Sequence, residues 1–324
     1  IDVTGVTTAA LNAATVNRAA PLTRPVAVTV AARDASRLSA QGGDVHMMPG
    51  TPLVTIAAAL AWNLLNRTTS ATVTDSTIAV TGDVLVSATD GAVLTSTTQA
   101  AAIAERDLAV VSSDAVALAA LFAANVVRGA VTAAVMGGSV SGADVTIQAL
   151  AEQAVIDATS QVSAAAGPGT ASLSVLPAAS LGVAMALNFI GWAVDQTALA
   201  VFLATIDLLL GTDFGAEEVW DVSASAVDAT LNATATGASA GNLTVKARSA
   251  ELVNATLSNV SSAKTAGVAY TFSGAAGAVL ATSKVSSRAA AVIESTTPTR
   301  VVVQAAGAVA VIADDSAGSY SNVK

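Results

Sequence analysis

The sequence predicts an all-β protein, a parallel β-helix or β-solenoid with one helical insertion at about residues 193–220. Three observations predict this fold: a segment that recurs along the chain, strict apolar–polar alternation downstream of each copy, and a shortage of bulky side chains. Hydrophobic residues make up 53% of the 324 residues, but aromatic residues only 3%. Small apolar side chains favour a narrow interior over a thick globular core.

The recurring segment is centred on an asparagine. Its copies are Ala61–Leu65, Ala123–Val127 and Ala186–Ile190, and their asparagines lie at 63, 125 and 188, which gives offsets of 62 and 63. A fainter fourth copy is Leu280–Lys284. Self-similarity at a fixed period is typical of repeat architectures in which like units stack on one another.

A second block follows each copy and predicts a β-strand with one buried face. In each block a polar residue precedes alternating apolar and polar residues, which is the periodicity of a strand. The copies are Asp83–Ala88, Asp144–Ala149, Asn242–Ala247 and Arg300–Ala305, with a degenerate earlier copy at Arg24–Val30.

Smaller apolar segments about ten residues before each block predict coils of about 20 residues, three to a repeat, and a rod about 70 Å long. The alternative is a β-sandwich or a set of immunoglobulin-like domains, which normally have more bulky aromatic core residues.

The insertion is predicted from a change of spacing and of periodicity. The third and fourth asparagine segments are about 95 residues apart, which leaves about 32 extra residues between Trp192 and Val222. Within them, apolar residues recur at the spacing of one helix face, with Asp195 as N-cap and Gly211 after the last turn. We therefore divide the chain into repeats at 1–192, a helical insertion at 193–220 and further repeats at 221–324.

We expect the apolar stripe of this helix to cover strand edges of the stack. Residues off the stripe would leave a second apolar face for another protomer or a lipid surface. The predicted protein-contact surface comprises Trp192, Leu199, Val201, Phe202, Leu203, Ile206, Leu208, Leu209, Leu210, Phe214 and Trp220.

A membrane-associated protein built around residues 178–210 is one alternative. Mean hydropathy is +0.65, and residues 178–194 form an uncharged run of about 17 residues, near the lower limit for a spanning helix. Pro177, Gly182, Gly191 and Asp195 interrupt or border it, and no flanking Lys or Arg supplies a topology signal. These features argue against a membrane span.

Composition excludes several classes of site. A net charge of −9 and a pI near 4.4 argue against nucleic-acid binding. The absence of cysteine excludes disulfides and thiolate metal sites, and His46 is the one histidine, with no nucleophile elbow or phosphate-binding loop. No cofactor is predicted; isolated calcium ions in loops stay open, without a calcium-loop motif.

The equivalent positions of Asp83 and Asp144 raise a second alternative, a β-helical enzyme that degrades polysaccharides with carboxylates on one face. Asn242, Arg300 and Arg24 occupy that position in the other blocks, which favours a turn role. Glycosylation sequons begin at Asn66, Asn232, Asn242, Asn254 and Asn259.

The asparagine segments, the Gly-Asp-Val-x-Val-x-Ala strand at Gly82–Ala88 and the insertion from Ile190 to Gly215 together resemble the repetitive regions of giant bacterial surface proteins. These adhesin-like chains are similar in style to filamentous haemagglutinin and autotransporter passengers, and the resemblance covers about residues 50–315 through composition. It implies a secreted, non-catalytic stalk, filament or adhesin at the cell surface. Its partners would be other copies or segments of the same chain, or a surface glycan or protein. We expect the chain to be part of a longer protein, since it starts at Ile1 and ends in mid-pattern.

Overall fold

The computed structural model describes the chain except for residues 18–25, 48–53, 107–114, 169–177, 192–224, 233–237, 264–272, 296–301 and 324. The described residues form strands joined by turns and bends, and they contain no helix. Accordingly, no helix in this part of the chain has the length and apolar character needed to cross a membrane. The predicted helical insertion at 193–220 lies outside the described residues.

The strands fall into five successive layers, each hydrogen-bonded in parallel to the next. The first layer comprises β1 (Asp2–Asn12), β2 (Thr15–Asn17), β3 (Val28–Asp34) and β4 (Arg37–Met47). The second comprises β5 (Val54–Ala79), β6 (Val84–Asp90) and β7 (Val93–Arg106). The third comprises β8 (Ala115–Ser141) and β9 (Val145–Pro168). The fourth comprises β10 (Ala178–Ile190), β11 (Ser225–Asn232), β12 (Ala238–Ala240) and β13 (Leu243–Ala263). The fifth comprises β14 (Ser273–Val285), β15 (Ser287–Ile293), β16 (Val303–Ala305), β17 (Val309–Asp315) and β18 (Gly318–Val323).

These strands build two sheets that face each other. The first sheet has 10 strands, with β1, β5, β8, β10 and β14 along its main path, and the second has 8 strands, with β3, β6, β9, β13 and β17 along its path. Every pairing described between strands is parallel. The prediction of an all-β fold with parallel sheets is confirmed, and the arrangement is compatible with a parallel β-helix.

The register shows that one repeat makes one layer. Asn63 pairs with Asn125, and Asn125 pairs with Asn188, so the recurring asparagine segments are neighbours in space. The prediction of three short coils per repeat is wrong, because Ala71–Val73 continues along β5 and pairs with Ala133–Val135 of β8. At about 4.8 Å per layer, five layers give a wide stack about 20 Å high instead of a rod of 70 Å.

Two copies of the strand block were placed wrongly from the sequence. Leu243 pairs with Val309, so the fifth-layer copy is β17; Val303–Ala305 forms β16, which pairs with β12. Val28 pairs with Val84, which puts Ala27 and not Arg24 at the position of Asp83. Both errors arise because the number of residues between paired positions in neighbouring layers varies with the length of the turns. Val-rich segments also occur at several points of each layer, so one of them can be mistaken for another.

The offset between the third and fourth layers changes abruptly. Ala115 pairs with Ala178, an offset of 63, whereas Ala130 pairs with Ala226, an offset of 96. The difference of 33 residues lies between Ile190 and Ser225. Residues 178–190 of the apolar run that suggested a membrane segment form β10, an interior strand of the first sheet.

The core lies between the two sheets. In the third layer Val145, Ile147 and Ala149 of β9 are buried against Val131, Ala133 and Val135 of β8, while the alternate residues Thr146 and Gln148 point outward and are half-buried. A second part of the core consists mostly of alanines. Small side chains let the sheets approach closely there, in agreement with the narrow interior predicted from composition.

Candidate functional site

The structure places an asparagine ladder, formed by Asn63, Asn125 and Asn188, in the interior between the sheets. All three side chains are fully buried. Asn63 Nδ2 donates to Asn125 Oδ1 and Asn125 Nδ2 donates to Asn188 Oδ1, both at 2.9 Å. Stacked amides of this kind satisfy one another only when successive layers are in register.

The same side chains also connect the two sheets. Asn63 Nδ2 donates to the carbonyl oxygen of Thr95 at 2.8 Å, and Asn125 Nδ2 donates to that of Asp157 at 2.8 Å. Asn188 repeats the contact with the carbonyl of Asn254. In the fifth layer Ser283 pairs with Asn188 and its hydroxyl donates to the carbonyl of Tyr320 at 2.9 Å. The faint fourth copy of the repeat therefore keeps the contact between sheets with a shorter side chain.

A second ladder runs along the turns before the second sheet. Asp83 Oδ1 accepts from the backbone N–H of Asp144 at 3.2 Å, and Asp144 Oδ1 accepts from the backbone N–H of Asn242 at 2.8 Å. Asn242 Oδ1 in turn accepts from the N–H of Ala308 at 2.9 Å. Each side chain thus binds the backbone of the next layer, which is what a turn role requires.

A buried ion cluster, comprising Arg67, Asp34 and Asp90, lies at the other end of the strands β3 and β6. Arg67 Nη1 contacts Asp34 Oδ1 at 2.7 Å, and its Nη2 forms an ion pair with Asp90. Burial lowers the pKa of Arg67, and the charge of Asp34 and its hydrogen bond oppose that effect. Asp34 and Asp90 are partners in the register, so the guanidinium neutralises two carboxylates that would otherwise repel each other.

Glu251 of β13 is a buried acid, with 6% of its surface exposed. Burial raises its pKa from 4.5 to about 7; the charge of Asp315 acts in the same direction and that of Arg67 opposes both. Asp157, half-buried in β9, also has a raised pKa because of burial, partly offset by hydrogen bonds from Thr159 and Asn254. Burial therefore makes both groups easier to protonate in the folded chain than in the unfolded one.

Glu251 makes stability depend on pH. Because its pKa is higher in the folded chain than in the unfolded one, its contribution is complete below about pH 4.5 and is lost as pH rises to about 7, by up to about 3 kcal/mol. We expect Glu251→Gln to reduce this decline, measured as the free energy of unfolding in urea between pH 4 and 8. The exposed Glu294→Gln should keep the wild-type profile. Identical pH profiles for wild type and Glu251→Gln would contradict this assignment.

A shallow groove with both polar and apolar lining residues crosses the outer face of the second sheet. It has a volume of about 340 Å³ and is lined by Gln99, Ala100, Ala101, Gln161, Val162, Ser163, Ser258 and Val260. Gln99 Nε2 donates to Gln161 Oε1 at 2.9 Å. These two amides pair between layers on the outer face of the sheet, as the amides of the asparagine ladder do in the interior. Amide and hydroxyl groups in such a row can bind the hydroxyls of a sugar or a peptide backbone.

The first sheet has an outer apolar face, defined by alternate residues of β8 and β10. These residues point away from the core side chains Leu121, Ala123 and Asn125, and yet they are buried. The members are Phe122, Ala124, Val126, Val183, Met185, Leu187 and Phe189, with Trp62, Leu64 and Leu181 at the margin. The rings of Trp62 and Phe122 stack with centroids 5.6 Å apart.

The predicted contact surface on the insertion, from Trp192 to Trp220, lies outside the described residues. Among the residues that the structure does describe, no group of three or more His, Cys, Asp or Glu is placed to hold a metal ion. Sequence reasoning recognised the asparagine repeat but missed its contact between sheets. An asparagine recurring inside apolar segments was the available signal, since a buried amide needs partners.

The chain matches no protein-family model, and no curated protein or solved structure shows significant similarity to it.

Proposed function

We propose that the chain is a β-solenoid segment of a non-catalytic structural or adhesive protein, whose layers build an extracellular stalk or filament. The observation that carries this proposal is the open interior of the fifth layer. Val145 and Leu243 are fully buried in the third and fourth layers, whereas Val309, next in the same row, is 51% exposed. The next inward-facing row repeats this difference, since Ile147 and Val245 are fully buried whereas Val311 is exposed.

An open layer of this kind favours the addition of a like layer. The backbone N–H and C=O groups of a strand at the edge of a stack, together with apolar inward side chains, are a template for parallel pairing. The first layer is similarly open, because Val3 of β1 is 36% exposed whereas its partner Leu65 in the second layer is fully buried. We propose that the partner at these faces is another set of the same layers, either from further repeats or from a second copy of the chain.

Two observations support a non-catalytic role over the polysaccharide-degrading alternative. Asp83 and Asp144 hold backbone N–H groups of the next layer, so their carboxylates serve the turns. The half-buried acids Asp34 and Asp90 are neutralised by the buried Arg67. The groove at Gln99 and Gln161 is the surface that we propose for an adhesive contact with a glycan or protein. The extracellular location rests on the resemblance to bacterial surface proteins.

Self-association through the open layer tests the structural role. We expect the purified chain to associate end to end as concentration rises, measured by sedimentation, and to form particles of constant width and increasing length in electron micrographs. Val309→Lys with Val311→Lys should keep the chain monomeric, because the added charges would be buried without partners between the joined layers.

The matched control is Leu252→Lys with Val260→Lys, two exposed positions on the side of the stack. This variant should assemble as the wild type does. The structural role is contradicted if the wild type stays monomeric at every concentration, or if the side variant abolishes assembly while the end variant does not.

A further inference from the structure

The two open ends of the stack carry rows of inward side chains that match each other. In the second sheet, the row that ends at Val309 in the fifth layer begins at Val28 in the first. Similarly, the row that ends at Val311 begins at Val30. The first-layer valines are half-buried and the fifth-layer valines are exposed. A second copy whose first layer lies on this fifth layer therefore brings valine against valine in both rows.

The first sheet shows the same match between its ends. The row that ends at Ala291 of β15 begins at Ala9 of β1, and the adjacent inward row runs from Leu11 to Ile293. All four side chains are partly buried and pack against the main core between the sheets. A further copy in the same register therefore extends the apolar core with side chains of similar size.

Charged residues on the outer side of the second sheet are complementary in this register. The row that begins at Arg33 in the first layer ends at Asp314 in the fifth. Within the chain, Arg248 Nε of the fourth layer contacts Asp314 Oδ2 at 3.3 Å. Arg33 of a second copy would lie on the other side of Asp314, one layer spacing of about 4.8 Å away. Asp314 would thus lie between two arginines.

The first sheet adds a second complementary pair. The row that begins at Asp2 ends at Lys284, and both residues are exposed. The same register brings Asp315 beside Asp34, which is a pair of like charges. Arg67 already neutralises Asp34 within its own copy. The balance of charge therefore favours contact between a first layer and a fifth layer.

Contact between two fifth layers is the other way of covering this end. A two-fold axis would run the strands of the two copies antiparallel, whereas every pairing described within the chain is parallel. It would also bring Asp314 and Asp315 of both copies into one interface. Such a pair closes after two copies, while contact between unlike ends leaves an open end for the next copy.

We propose that a second copy of this chain docks with its first layer on the fifth layer in unbroken register, with Val28 on Val309 and Arg33 on Asp314. This proposal rests on the proposed structural role and specifies its partner, polarity and register. The apolar rows supply the contact area, and a slip by one residue would turn them outward. The charged rows oppose the wrong polarity, because complementary charges act mainly on specificity.

Disulfide formation between single-cysteine chains tests this register, since the chain has no cysteine of its own. The row that ends at Ile312 begins at Ala31, so Ile312→Cys should cross-link with Ala31→Cys of another chain. Neighbouring strands are about 4.8 Å apart, within the span of a disulfide. The matched control is Thr29→Cys, two residues away on the same face, where the Cα atoms would be about 8 Å apart and beyond that span.

We expect the mixture of Ile312→Cys with Ala31→Cys to form dimers about ten times faster than the mixture with Thr29→Cys, because only the first pair is held together in the assembly. Electrophoresis without reducing agent measures both rates. Ile312→Cys alone should cross-link as slowly as the control, since two fifth layers do not meet.

Charge reversal tests the polarity. Asp314→Arg should raise the concentration at which half of the chain is assembled by about tenfold, because it places two arginines side by side at the joint. Adding Arg33→Asp restores the opposite pair and should recover assembly. The control Thr146→Arg adds a positive charge to the same face in the third layer and should assemble as the wild type does.

The outcomes separate this proposal from the structural role on which it rests. A wild type that never associates contradicts both. If the chain does associate end to end, this proposal alone is overturned by equal rates for the two cysteine mixtures, or by equally fast cross-linking of Ile312→Cys with itself. A double charge variant that assembles no better than Asp314→Arg also overturns it.

Discussion

Ile147→Asp is expected to unfold the chain at room temperature. Ile147 is fully buried between the sheets in the third of five layers, with Val86 and Val245 as its partners in the neighbouring layers. A carboxylate there has no cation to pair with among its described neighbours. Burying it should cost about 5 kcal/mol or more, which is comparable with the whole stability of an ordinary domain. Circular dichroism and urea unfolding measure the loss.

Thr146→Asp is the control for this change, because Thr146 is the preceding residue of β9 and points outward. The same substitution there should change the free energy of unfolding by less than about 1 kcal/mol. Equal losses at both positions would mean that β9 does not alternate between an inner and an outer face.

Asn125→Ala should destabilise the chain by about 4 kcal/mol, since each buried group that loses its partner costs about 1–3 kcal/mol. Asn125 Oδ1 accepts from Asn63 and from the hydroxyl of Ser96, and its Nδ2 donates to Asn188 and to the carbonyl of Asp157. The substitution leaves partners unsatisfied in the neighbouring layers and in the facing sheet. The measurement is the midpoint of urea unfolding.

Asn66→Ala is the matched control for the asparagine ladder, because Asn66 is exposed on the same strand as Asn63. It should unfold at nearly the wild-type urea concentration. A loss of less than about 1 kcal/mol for Asn125→Ala would mean that the ladder contributes no more than a solvated amide does.

The sequence predicted the local features of the fold because they depend on local patterns. Alternation at Val145, Thr146 and Ile147 has the period of a strand, and the structure places these residues inward and outward as that pattern requires. The recurrence of Asn63, Asn125 and Asn188 predicted neighbouring copies, and the register pairs them. In both cases the pattern repeats within a few residues or at a constant spacing.

The width of each layer could not be predicted from these patterns. Strand alternation is the same whether a 62-residue unit folds into three short coils or one wide layer, since the pairing partner lies far away in the sequence. Bends inside long strands also hide the boundaries. Gly137 and Gly138 adopt φ of 70° and 69° within β8, so the chain bends there although the strand continues through both residues.

The buried charges were also beyond sequence reasoning. Arg67 lies 33 residues after Asp34 and 23 residues before Asp90, and no motif links the three residues. They meet because the layered arrangement places the ends of β3 and β6 beside Arg67 of β5. Glu251 similarly becomes a buried acid only when β13 lies against the neighbouring strands.

The distance between Thr29 and Ala310 tests the layered stack most directly. Each of the five layers contributes one residue to this row, through Leu85, Thr146 and Thr244. The chain has no cysteine, so Thr29→Cys with Ala310→Cys allows two spin labels to be attached and their separation to be measured by pulsed electron paramagnetic resonance. Four layer spacings predict about 20 Å between the labelled positions. A separation above about 50 Å, as expected for three short coils per repeat, would contradict the account.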